Sequence, residues 1–324
     1  MDTESRLDVF PCPACRSPIF DDELFCEACG TSVSTDEPTG RGHSDSNHRD
    51  SNHWEERDLR VIAGITDRGR RRSRNEDAMA IAAANSRVLA AVCDGVASTA
   101  NGDQAARAAA DATVSSLEPL LRTSDWPEDG SLEELFDAAF REAQSAVMLV
   151  PEEEPEGSDL SPSTTLVSVL ASSDRIVVGN VGDSRAYWLA LSGGGRTLSV
   201  DDSLAQESIA QGIPPEVAFA DPDAHTITRW IGGDSDSVSP RLVSFDVTEP
   251  GVLVLCTDGL WNYFEDPDRM QRILDGCDNS AIEMARRLVD AALDAGGQDN
   301  VTVVVVPIGV DSGPTTPNGG RPPS

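Results

Sequence analysis

The sequence predicts an α+β protein in which antiparallel sheets are covered by helices. Between residues 164 and 200, short apolar segments of strand length follow one another, separated by turn residues such as the three glycines at 193–195. Such short connections allow only antiparallel pairing, because a parallel pair needs a crossover of roughly a dozen residues or more. Strand patterns and helix patterns occur in separate groups along the chain, which is typical of the α+β class.

Each predicted element has its own local signal. An apolar strand over residues 60–66 comes first, and two more strands fill residues 78–93 on either side of a turn at Asn85 and Ser86. Residues 132–149 repeat apolar side chains about every 3.6 positions, which is the period of an amphipathic helix. The other predicted helices cover residues 103–121, 202–211, 267–274 and 279–295, and the other strands cover residues 165–170, 175–181, 185–191, 196–200, 225–231, 241–247, 252–257 and 301–308.

Composition divides the chain into four parts. Residues 1–30 carry four clustered cysteines, whereas residues 31–58 are mainly Ser, Thr, Asp, Asn and Gly with very few apolar side chains. The segment 31–58 is therefore predicted to be a disordered linker. The predicted strands and helices fall in a large domain at 59–310, and the Gly, Pro, Thr and Ser of residues 311–324 predict a disordered tail.

The chain is strongly acidic. Acidic residues outnumber basic ones 56 to 25, the basic residues are all arginine, and the net charge is −31. Nucleic acids and anionic membranes are bound through a basic face, so neither partner is expected. The N-terminus lacks the features of a signal peptide, and no apolar run approaches the roughly 18 residues of a membrane span. We therefore expect a cytoplasmic protein.

Four of the seven cysteines form a Cys-x2-Cys-x10-Cys-x2-Cys array: Cys12, Cys15, Cys26 and Cys29. Each pair can offer two thiolates to one ion, and four thiolates complete the tetrahedral shell of a structural Zn²⁺ site. Free or redox-active thiols are the alternative interpretation. The segment resembles the small zinc ribbons fused to bacterial regulatory proteins. With no open ligand position, its single Zn²⁺ would be structural or partner-binding and not catalytic.

Three carboxylates meet the ends of apolar runs of strand length. Asp94 and Asp258 directly follow such runs and each precedes a glycine, whereas Asp299 lies just before the run at 301–306. An Asp-Gly pair between strands is ordinarily a hairpin turn. Here that interpretation fails, because neither pair is followed by a matching strand. Converging buried carboxylates are costly without cations, and all-oxygen ligands favour Mg²⁺ or Mn²⁺ over Zn²⁺.

The residue types restrict the chemistry further. No histidine lies between residues 57 and 224, which removes the usual nucleophile and base candidates. Metal ions are therefore predicted to carry out the chemistry. They would acidify a bridging water to hydroxide, which attacks a phosphorus, and they would neutralise the charge of the phosphate oxygens. Five arginines within residues 67–77 form either a solvated charged loop or an oxyanion site beside the metals, since a guanidinium can hold a phosphate through two hydrogen bonds.

Eight motifs across residues 59–310 resemble those of the type 2C metal-dependent protein serine/threonine phosphatases (PPM) of bacterial type. In chain order they are residues 72–77 (Arg-Ser-Arg-Asn-Glu-Asp), 92–95 (Val-Cys-Asp-Gly), 163–165 (Ser-Thr-Thr), 179–185 (Gly-Asn-Val-Gly-Asp-Ser-Arg), 202–206 (Asp-Ser-Leu-Ala-Gln), 227–232 (Ile-Thr-Arg-Trp-Ile-Gly), 256–260 (Cys-Thr-Asp-Gly-Leu) and 297–301 (Gly-Gln-Asp-Asn-Val). The resemblance implies a four-layer α-β-β-α sandwich of two antiparallel sheets flanked by helices, with metals in a cleft at one edge.

The resemblance also implies roles for single residues. Asp94 would bridge two Mn²⁺ or Mg²⁺ ions, and Gly95 would offer its carbonyl oxygen. Asp258 and Asp299 would hold the first ion. Arg72 matches the phosphate-binding arginine of the family, so Arg72 and Asp94 are the expected catalytic residues.

Supporting roles are implied for other positions. Glu76 and Asp77 would act on the second ion through waters. Asp183 and Ser184 are expected to form a turn that ties two strands together. A third ion is left open: Asp159 is the nearest candidate ligand, and a solvated loop acid is the alternative interpretation of that residue.

The implied activity is hydrolysis of phosphoserine and phosphothreonine in protein substrates of Ser/Thr kinases. Two departures from the family pattern qualify it. Residues 96–102 read Val-Ala-Ser-Thr-Ala-Asn-Gly where bacterial members have a Gly-rich segment, and Ser163 replaces a glycine. The alternative function is therefore a catalytically weak pseudophosphatase that binds a protein partner through its zinc ribbon.

Overall fold

The computed structural model describes residues 9–11, 18–20, 54–96, 101–123, 125–151, 161–235, 238–277 and 280–309. The helices are α1 (Gly102–Leu117), α2 (Asp129–Val147), α3 (Leu204–Ala210), α4 (Pro215–Ala218), α5 (Asp258–Trp261), α6 (Pro267–Leu274) and α7 (Ala281–Ala295), with a 3₁₀ helix at Glu118–Arg122. The strands are β1 (Val9–Pro11), β2 (Pro18–Phe20), β3 (Trp54–Asp58), β4 (Ala63–Asp67), β5 (Asp77–Ala84), β6 (Arg87–Asp94), β7 (Ser163–Thr164), β8 (Leu166–Ala171), β9 (Arg175–Val181), β10 (Arg185–Ala190), β11 (Gly195–Thr197), β12 (Ile231–Gly232), β13 (Arg241–Asp246), β14 (Gly251–Cys256) and β15 (Val301–Ile308).

Two sheets contain most of these strands. The six-stranded sheet has the order β11-β10-β14-β15-β4-β3, and the five-stranded sheet has the order β13-β9-β8-β6-β5. Neighbouring strands are antiparallel in both sheets, which confirms the pairing predicted from the short connections. Two small sheets pair β7 with β12 and β1 with β2.

Three apolar cores hold the layers together. The core between the two sheets includes Ile62, Met79, Val92, Leu253 and Val304, all completely buried. Helices α1 and α2 pack on the outer face of the five-stranded sheet, and α5, α6 and α7 pack on the outer face of the six-stranded sheet. The four-layer α-β-β-α sandwich is thus confirmed. Since the central strands are buried on both faces, they read in sequence as continuous apolar runs.

Small side chains and one proline shape helix α1. Ala105, Ala109 and Ala110 are completely buried against the five-stranded sheet, where their small size lets the helix backbone approach the strands. The helix ends at Leu117 and the chain continues as a 3₁₀ helix, because Pro119 has no N–H group to donate. The predicted helix over 103–121 is therefore an α-helix in its first part only.

The segment 225–231 is not the strand that the sequence predicted. Only Ile231–Gly232 forms a strand, and Ile227 makes one isolated bridge with Ser203. The backbone of this segment instead bonds to the start of α3, where Leu204 N donates to Thr226 O and Thr228 N donates to Asp202 O. A short helix, α4, precedes it.

The large domain starts earlier than predicted. Strand β3 pairs along its length with β4 and forms an edge of the six-stranded sheet, so residues 54–58 belong to the domain and not to the linker. Near the N-terminus β1 and β2 form an antiparallel pair with Val9 opposite Phe20. The four clustered cysteines, linker residues 31–53, Asp159 and the tail 311–324 lie outside the described residues. None of the described helices is long and apolar enough to cross a bilayer.

Candidate metal centre

The strand register gathers the predicted acids at one edge of the two sheets. Asp77, the first residue of β5, lies opposite Asp94, the last residue of β6. In the other sheet, the end of β14 lies beside the start of β15, which places Asp258 near Asp299. Antiparallel pairing thus converts positions far apart in sequence into neighbours, as the apolar runs predicted.

Asp94, Asp258 and Asp299 line a cleft of about 170 Å³. Its walls are formed by Arg72, Glu76, Asp94, Gly95, Val96, Thr165, Asp183, Ile227, Asp258, Asp299 and Asn300. All of the predicted site residues of the large domain except Asp77 are among them. Asp77 lies behind the cleft, where its Oδ2 accepts hydrogen bonds of 2.8 Å from Thr257 Oγ1 and Thr302 Oγ1.

The Ser-Thr-Thr motif holds the backbone of Asp94. Thr165 N donates to Asp94 O at 2.8 Å, and Thr164 Oγ1 donates to the same oxygen at 2.9 Å. Asp94 N donates to Thr165 Oγ1, which is in turn 2.7 Å from Ser184 Oγ. This network fixes the peptide of Asp94 and leaves its carboxylate at the cleft.

The two Asp-Gly glycines allow close backbone contacts. A Cβ atom at Gly95 would lie 2.4 Å from Gly102 O, and one at Gly259 would lie 1.9 Å from Asn300 O. Gly95 N also donates to Glu76 O at 3.1 Å. Any larger residue would force these segments apart, so each glycine is required for the acid before it to reach the cleft.

The altered Ser163 is accommodated in the structure. It is buried, it lies opposite Gly232 in the β7–β12 pair, and its hydroxyl donates to Ser161 O at 2.9 Å. A Cβ at Gly232 would lie 2.4 Å from Ser163 Oγ. The absence of a side chain at Gly232 therefore leaves room for the Ser163 hydroxyl on the opposite strand. The altered loop after Asp94 has its residues 97–100 outside the described part of the chain.

Burial raises the pKa of the clustered acids. Desolvation, and then the charges of Asp77 and Asp258, hold the pKa of Asp94 well above its usual value. Desolvation and the charge of Asp299 raise the pKa of Asp258 to about 6. The pKa of Asp77 rises to about 8, because its burial outweighs the two hydroxyl hydrogen bonds that it accepts. Desolvation also raises the pKa of Glu76. Acids this crowded need cations to remain ionised at neutral pH.

The donor set fits hard divalent cations. Asp258 Oδ1 and Asp77 Oδ1 are buried and accept no hydrogen bond from the described residues. Acceptors buried without partners are costly, and a cation at the cleft would satisfy them. Among the described residues, no three acids, histidines or cysteines are drawn together into a ready-made coordination shell. Oxygen ligands with room for water are what Mg²⁺ and Mn²⁺ accept, and Asp94, Gly95, Asp258 and Asp299 could hold them.

The arginines of residues 67–77 fall into two groups. Some lie at the cleft, as an oxyanion site requires, and others lie in a solvated charged loop. Arg72 lies at the cleft, where its Nη2 is 2.6 Å from Asp299 Oδ2, and this hydrogen bond raises the arginine pKa. Arg74 Nε lies 3.4 Å from Glu76 Oε1. Arg70 instead points to Asp294, and Arg71 is exposed. Only part of the turn therefore contributes cations to the cleft.

Sequence reasoning underestimated Asp183. It was expected to serve only in a turn, but it lines the cleft, and its pKa is raised to about 7 by desolvation and then by the charge of Asp258. Trp261 Nε1 donates to its carbonyl oxygen at 3.0 Å. Asp183 follows the end of strand β9, so the signal that identified Asp94 and Asp258, an acid after an apolar strand, was present here too.

Comparison with known proteins identifies the family of this chain. A family model described as Protein phosphatase 2C matches residues 66–293. The serine/threonine protein phosphatase PstP of Mycobacterium tuberculosis is 33% identical over 258 residues, covering 79% of this chain and 46% of PstP. The serine/threonine phosphatase stp of Listeria welshimeri is 30% identical over 250 residues, covering 74% of this chain and 93% of that protein. The catalytic domain of PstP in complex with two manganese ions has a TM-score of 0.57 and 30% identity, covering 78% of this chain and 97% of that domain.

The fold and the cleft define an α-β-β-α sandwich protein with an acidic centre at one sheet edge. The chain belongs to the protein phosphatase 2C family, which confirms the resemblance seen in its motifs. It spans about half the length of the mycobacterial relatives, 46%, and most of the length of the Listeria ones.

Proposed function

We propose that this chain is a Mn²⁺- or Mg²⁺-dependent phosphatase of phosphoserine and phosphothreonine in proteins. The observation that carries the proposal is the cleft in which Asp94, Asp258 and Asp299 meet Arg72. Relatives named as serine/threonine phosphatases, and the PstP catalytic domain with two manganese ions, support it. When bound, two divalent ions would neutralise phosphoryl oxygens and lower the pKa of water.

The residues of the chain would provide position and charge. Asp94 would contact both ions because it lies between the two groups of acids, and its fixed backbone would hold their spacing. Asp258 and Asp299 would hold one ion. The Gly95 carbonyl would hold the other, and Glu76 and Asp77 would act on that second ion through water.

Arg72 would bind the phosphate. Its guanidinium would release its hydrogen bond to Asp299 and would hold two phosphate oxygens. Its charge would offset the acidic field that otherwise repels a phosphate dianion.

The N-terminal cysteines are proposed to bind one structural Zn²⁺. Pairing of β1 with β2 leaves residues 12–17 as the connection between the strands, and this connection contains Cys12 and Cys15. Two cysteines separated by two residues are typical of a zinc knuckle, and Cys26 and Cys29 would complete the shell. The site would be structural or would bind a protein partner. Cytoplasmic phosphoproteins remain the expected substrates.

Hydrolysis by the purified full-length chain tests this function. Para-nitrophenyl phosphate and a phosphothreonine peptide should both be hydrolysed with Mn²⁺ and not with excess chelator. Asp94→Asn should lack this activity, whereas Asp290→Asn, an exposed change on α7, should retain it. A chain that binds Mn²⁺ yet hydrolyses neither substrate would instead support the pseudophosphatase.

A further inference from the structure

Asp183 and Asp258 lie at the same end of two neighbouring strands. Strands β10 and β14 pair antiparallel, and Arg185 lies opposite Cys256 as the last pair at this end of the ladder. Asp183 comes two residues before Arg185 and Asp258 comes two residues after Cys256, so the register directs both acids to one edge of the sheet. Both acids line the metal cleft, and the charge of Asp258 contributes to the raised pKa of Asp183.

The strand ladder ends before it reaches these two acids. Asp183 lies in the turn between β9 and β10, and Asp258 is the first residue of the short helix α5. A side-chain hydrogen bond takes the place of the ladder here, because Trp261 Nε1 donates to Asp183 O at 3.0 Å. Trp261 is the last residue of α5 and stands three positions after Asp258, which places their side chains on the same side of the helix. The indole therefore connects the peptide of one acid with the helix that carries the other.

The indole of Trp261 is itself held in place. It is buried, and the guanidinium carbon of Arg185 lies 3.8 Å from the centroid of its ring. Arg185 is fixed in turn by hydrogen bonds to both carboxylate oxygens of Asp201, the shortest of them 2.6 Å long. A guanidinium over an indole face is attracted to it, and His225 also packs on this indole with the ring centroids 5.8 Å apart. A side chain locked by such packing can hold its hydrogen-bond partner in one position.

The turn between β9 and β10 is also anchored to Asp94. Ser184 Oγ in this turn lies 2.7 Å from Thr165 Oγ1, and Thr165 Oγ1 accepts a hydrogen bond from Asp94 N at 3.0 Å. These contacts position the turn relative to Asp94. The bond from Trp261 adds its position relative to Asp258, so acids from three separate parts of the chain are held in one frame.

We propose that Trp261 is a positioning residue of the metal centre: its N–H group holds the peptide of Asp183 against α5 and thereby fixes Asp183 and Asp258 at the spacing that metal binding requires. This inference rests on the proposed function, because it gives that spacing a role in phosphate hydrolysis. Trp261 is not among the residues that line the cleft, so it would act through the two acids and would touch neither an ion nor the substrate. Removal of its N–H group should therefore weaken metal binding and lower kcat.

Mn²⁺ titration of the full chain, followed by electron paramagnetic resonance, tests this role without turnover. Trp261→Phe removes the N–H group and keeps an aromatic ring beside Arg185, and it should weaken Mn²⁺ binding by roughly tenfold or more, as the loss of a group that orients metal ligands does. Trp188→Phe is the matched control. This tryptophan is equally buried, packs in the core between the sheets and does not line the cleft, so the change should lower the melting temperature and leave Mn²⁺ affinity as it was.

A variant of nearly the same shape covers the case in which Trp261→Phe folds poorly. Replacement of Trp261 by 3-benzothienylalanine keeps the size of the ring system and removes only the N–H group. This protein should lose Mn²⁺ affinity as Trp261→Phe does, with its melting curve showing that it is folded. An unchanged Mn²⁺ affinity would overturn the proposal, because the hydrogen bond to Asp183 would then have no effect on the metal centre.

A double-mutant cycle separates positioning from general destabilisation. Asp183→Asn should itself weaken Mn²⁺ binding, because it removes a charge from the cleft. In that background Trp261→Phe should weaken binding by no more than a further factor of about two, since the peptide that it positions no longer carries a charged acid. Its effect on urea unfolding should be nearly the same in both backgrounds. An equal loss of Mn²⁺ affinity with and without the Asp183 charge, or normal Mn²⁺ binding by Asp183→Asn, would overturn the proposal.

Steady-state kinetics then distinguish positioning from contact with the substrate. With a phosphothreonine peptide at saturating Mn²⁺, Trp261→Phe should lower kcat and change KM by less than about twofold. A raised KM with an unchanged kcat would show that the indole acts on the substrate and would overturn the positioning role. The Mn²⁺ measurements stand apart from this assay, so an unmodified chain that binds Mn²⁺ and hydrolyses nothing would contradict the proposed function alone.

Discussion

The guanidinium of Arg72 and the carboxylate of Asp299, which both line the candidate metal cleft, form a 2.6 Å ion pair. One residue is the proposed phosphate ligand and the other a proposed metal ligand, so the two functions of the site share a hydrogen bond. Arg72 would therefore compete with a bound divalent cation for Asp299. The ion pair predicts that removal of the Arg72 side chain strengthens metal binding and lowers turnover.

Arg72→Ala should lower kcat/KM for a phosphothreonine peptide by roughly 10²–10³-fold, because a charged group on the phosphoryl oxygens is lost. The same change should tighten Mn²⁺ binding, since Asp299 no longer faces a competing cation. Steady-state kinetics and Mn²⁺ titration measure the two effects. Arg71→Ala, in the exposed part of the same turn, is the control and should alter neither. Weaker Mn²⁺ binding by Arg72→Ala would contradict the competition.

Asp94→Asn should lower turnover by more than the roughly 100-fold typical of lost outer-shell partners, because a residue shared by both metals is removed. In chelator, however, this variant should melt at a higher temperature than the unmodified chain. It replaces an acid that burial and two neighbouring charges disfavour with a neutral group of the same shape. A rise of at least about 2 °C is expected for a stabilisation of about 1 kcal/mol. A lower melting temperature would show that the acid is not under electrostatic strain.

The stability of the metal-free protein should decrease as pH rises from about 4 to about 8. The pKa values of Asp258, Asp183 and Asp77 are raised to about 6, 7 and 8, so the folded state holds protons in this window that the unfolded state has lost. The free energy of unfolding must then fall with pH. Urea unfolding in chelator measures it, and a free energy that rises through the window would contradict the raised pKa values.

Mn²⁺ affinity should change in the opposite direction. The ion binds carboxylates and not carboxylic acids, so its apparent affinity should rise from about pH 6 to about pH 8, and binding should release protons. Calorimetry in two buffers of different ionisation enthalpy counts the protons. Asp258→Asn should release fewer of them than the unmodified chain.

Asp202 should be a structural residue. Its completely buried carboxylate accepts hydrogen bonds from Gly182 N at 3.1 Å, Arg229 Nη1 at 3.2 Å and Arg241 Nε at 2.9 Å. Asp202→Ala should lower the free energy of unfolding by roughly 2–3 kcal/mol, less than for a fully buried ion pair because both arginines reach solvent. Asp246→Ala, at an exposed position, is the control. A change under about 0.5 kcal/mol in urea unfolding would remove this role.

Cys12→Ser should reduce the Zn²⁺ content of the full chain from about one per molecule to near zero, because three thiolates hold the ion poorly. Hydrolysis of para-nitrophenyl phosphate should persist. Elemental analysis and the Mn²⁺-dependent assay measure these results, and Cys277→Ser is the matched control. Loss of hydrolysis in a folded Cys12→Ser protein would mean that the two modules are coupled.

The fold was predictable because its strands are buried on both faces. That burial makes the runs ending at Asp94 and starting at Val301 continuous and apolar, and the register then brings their acids together. Two parts were not predictable from local pattern. The segment 225–231 is rich in the β-branched and aromatic residues of strands, but its backbone forms tertiary hydrogen bonds with the start of α3. Asp183 follows a strand as Asp258 does, but its Gly-Asp-Ser sequence is equally that of a turn, so the local pattern does not decide between a turn residue and a cleft residue.

Strand β3 also holds the two outer helical layers together. Its Glu55 contacts Arg107 of α1 on one side of the sandwich, and its Glu56 accepts a 2.6 Å hydrogen bond from Arg286 of α7 on the other. A chain shortened to begin at residue 59 would lose both contacts and would leave the N–H and C=O groups of β4 unpaired along an open edge. Open edges of this kind recruit strands from other molecules. The five residues before the predicted boundary therefore protect the large domain from self-association.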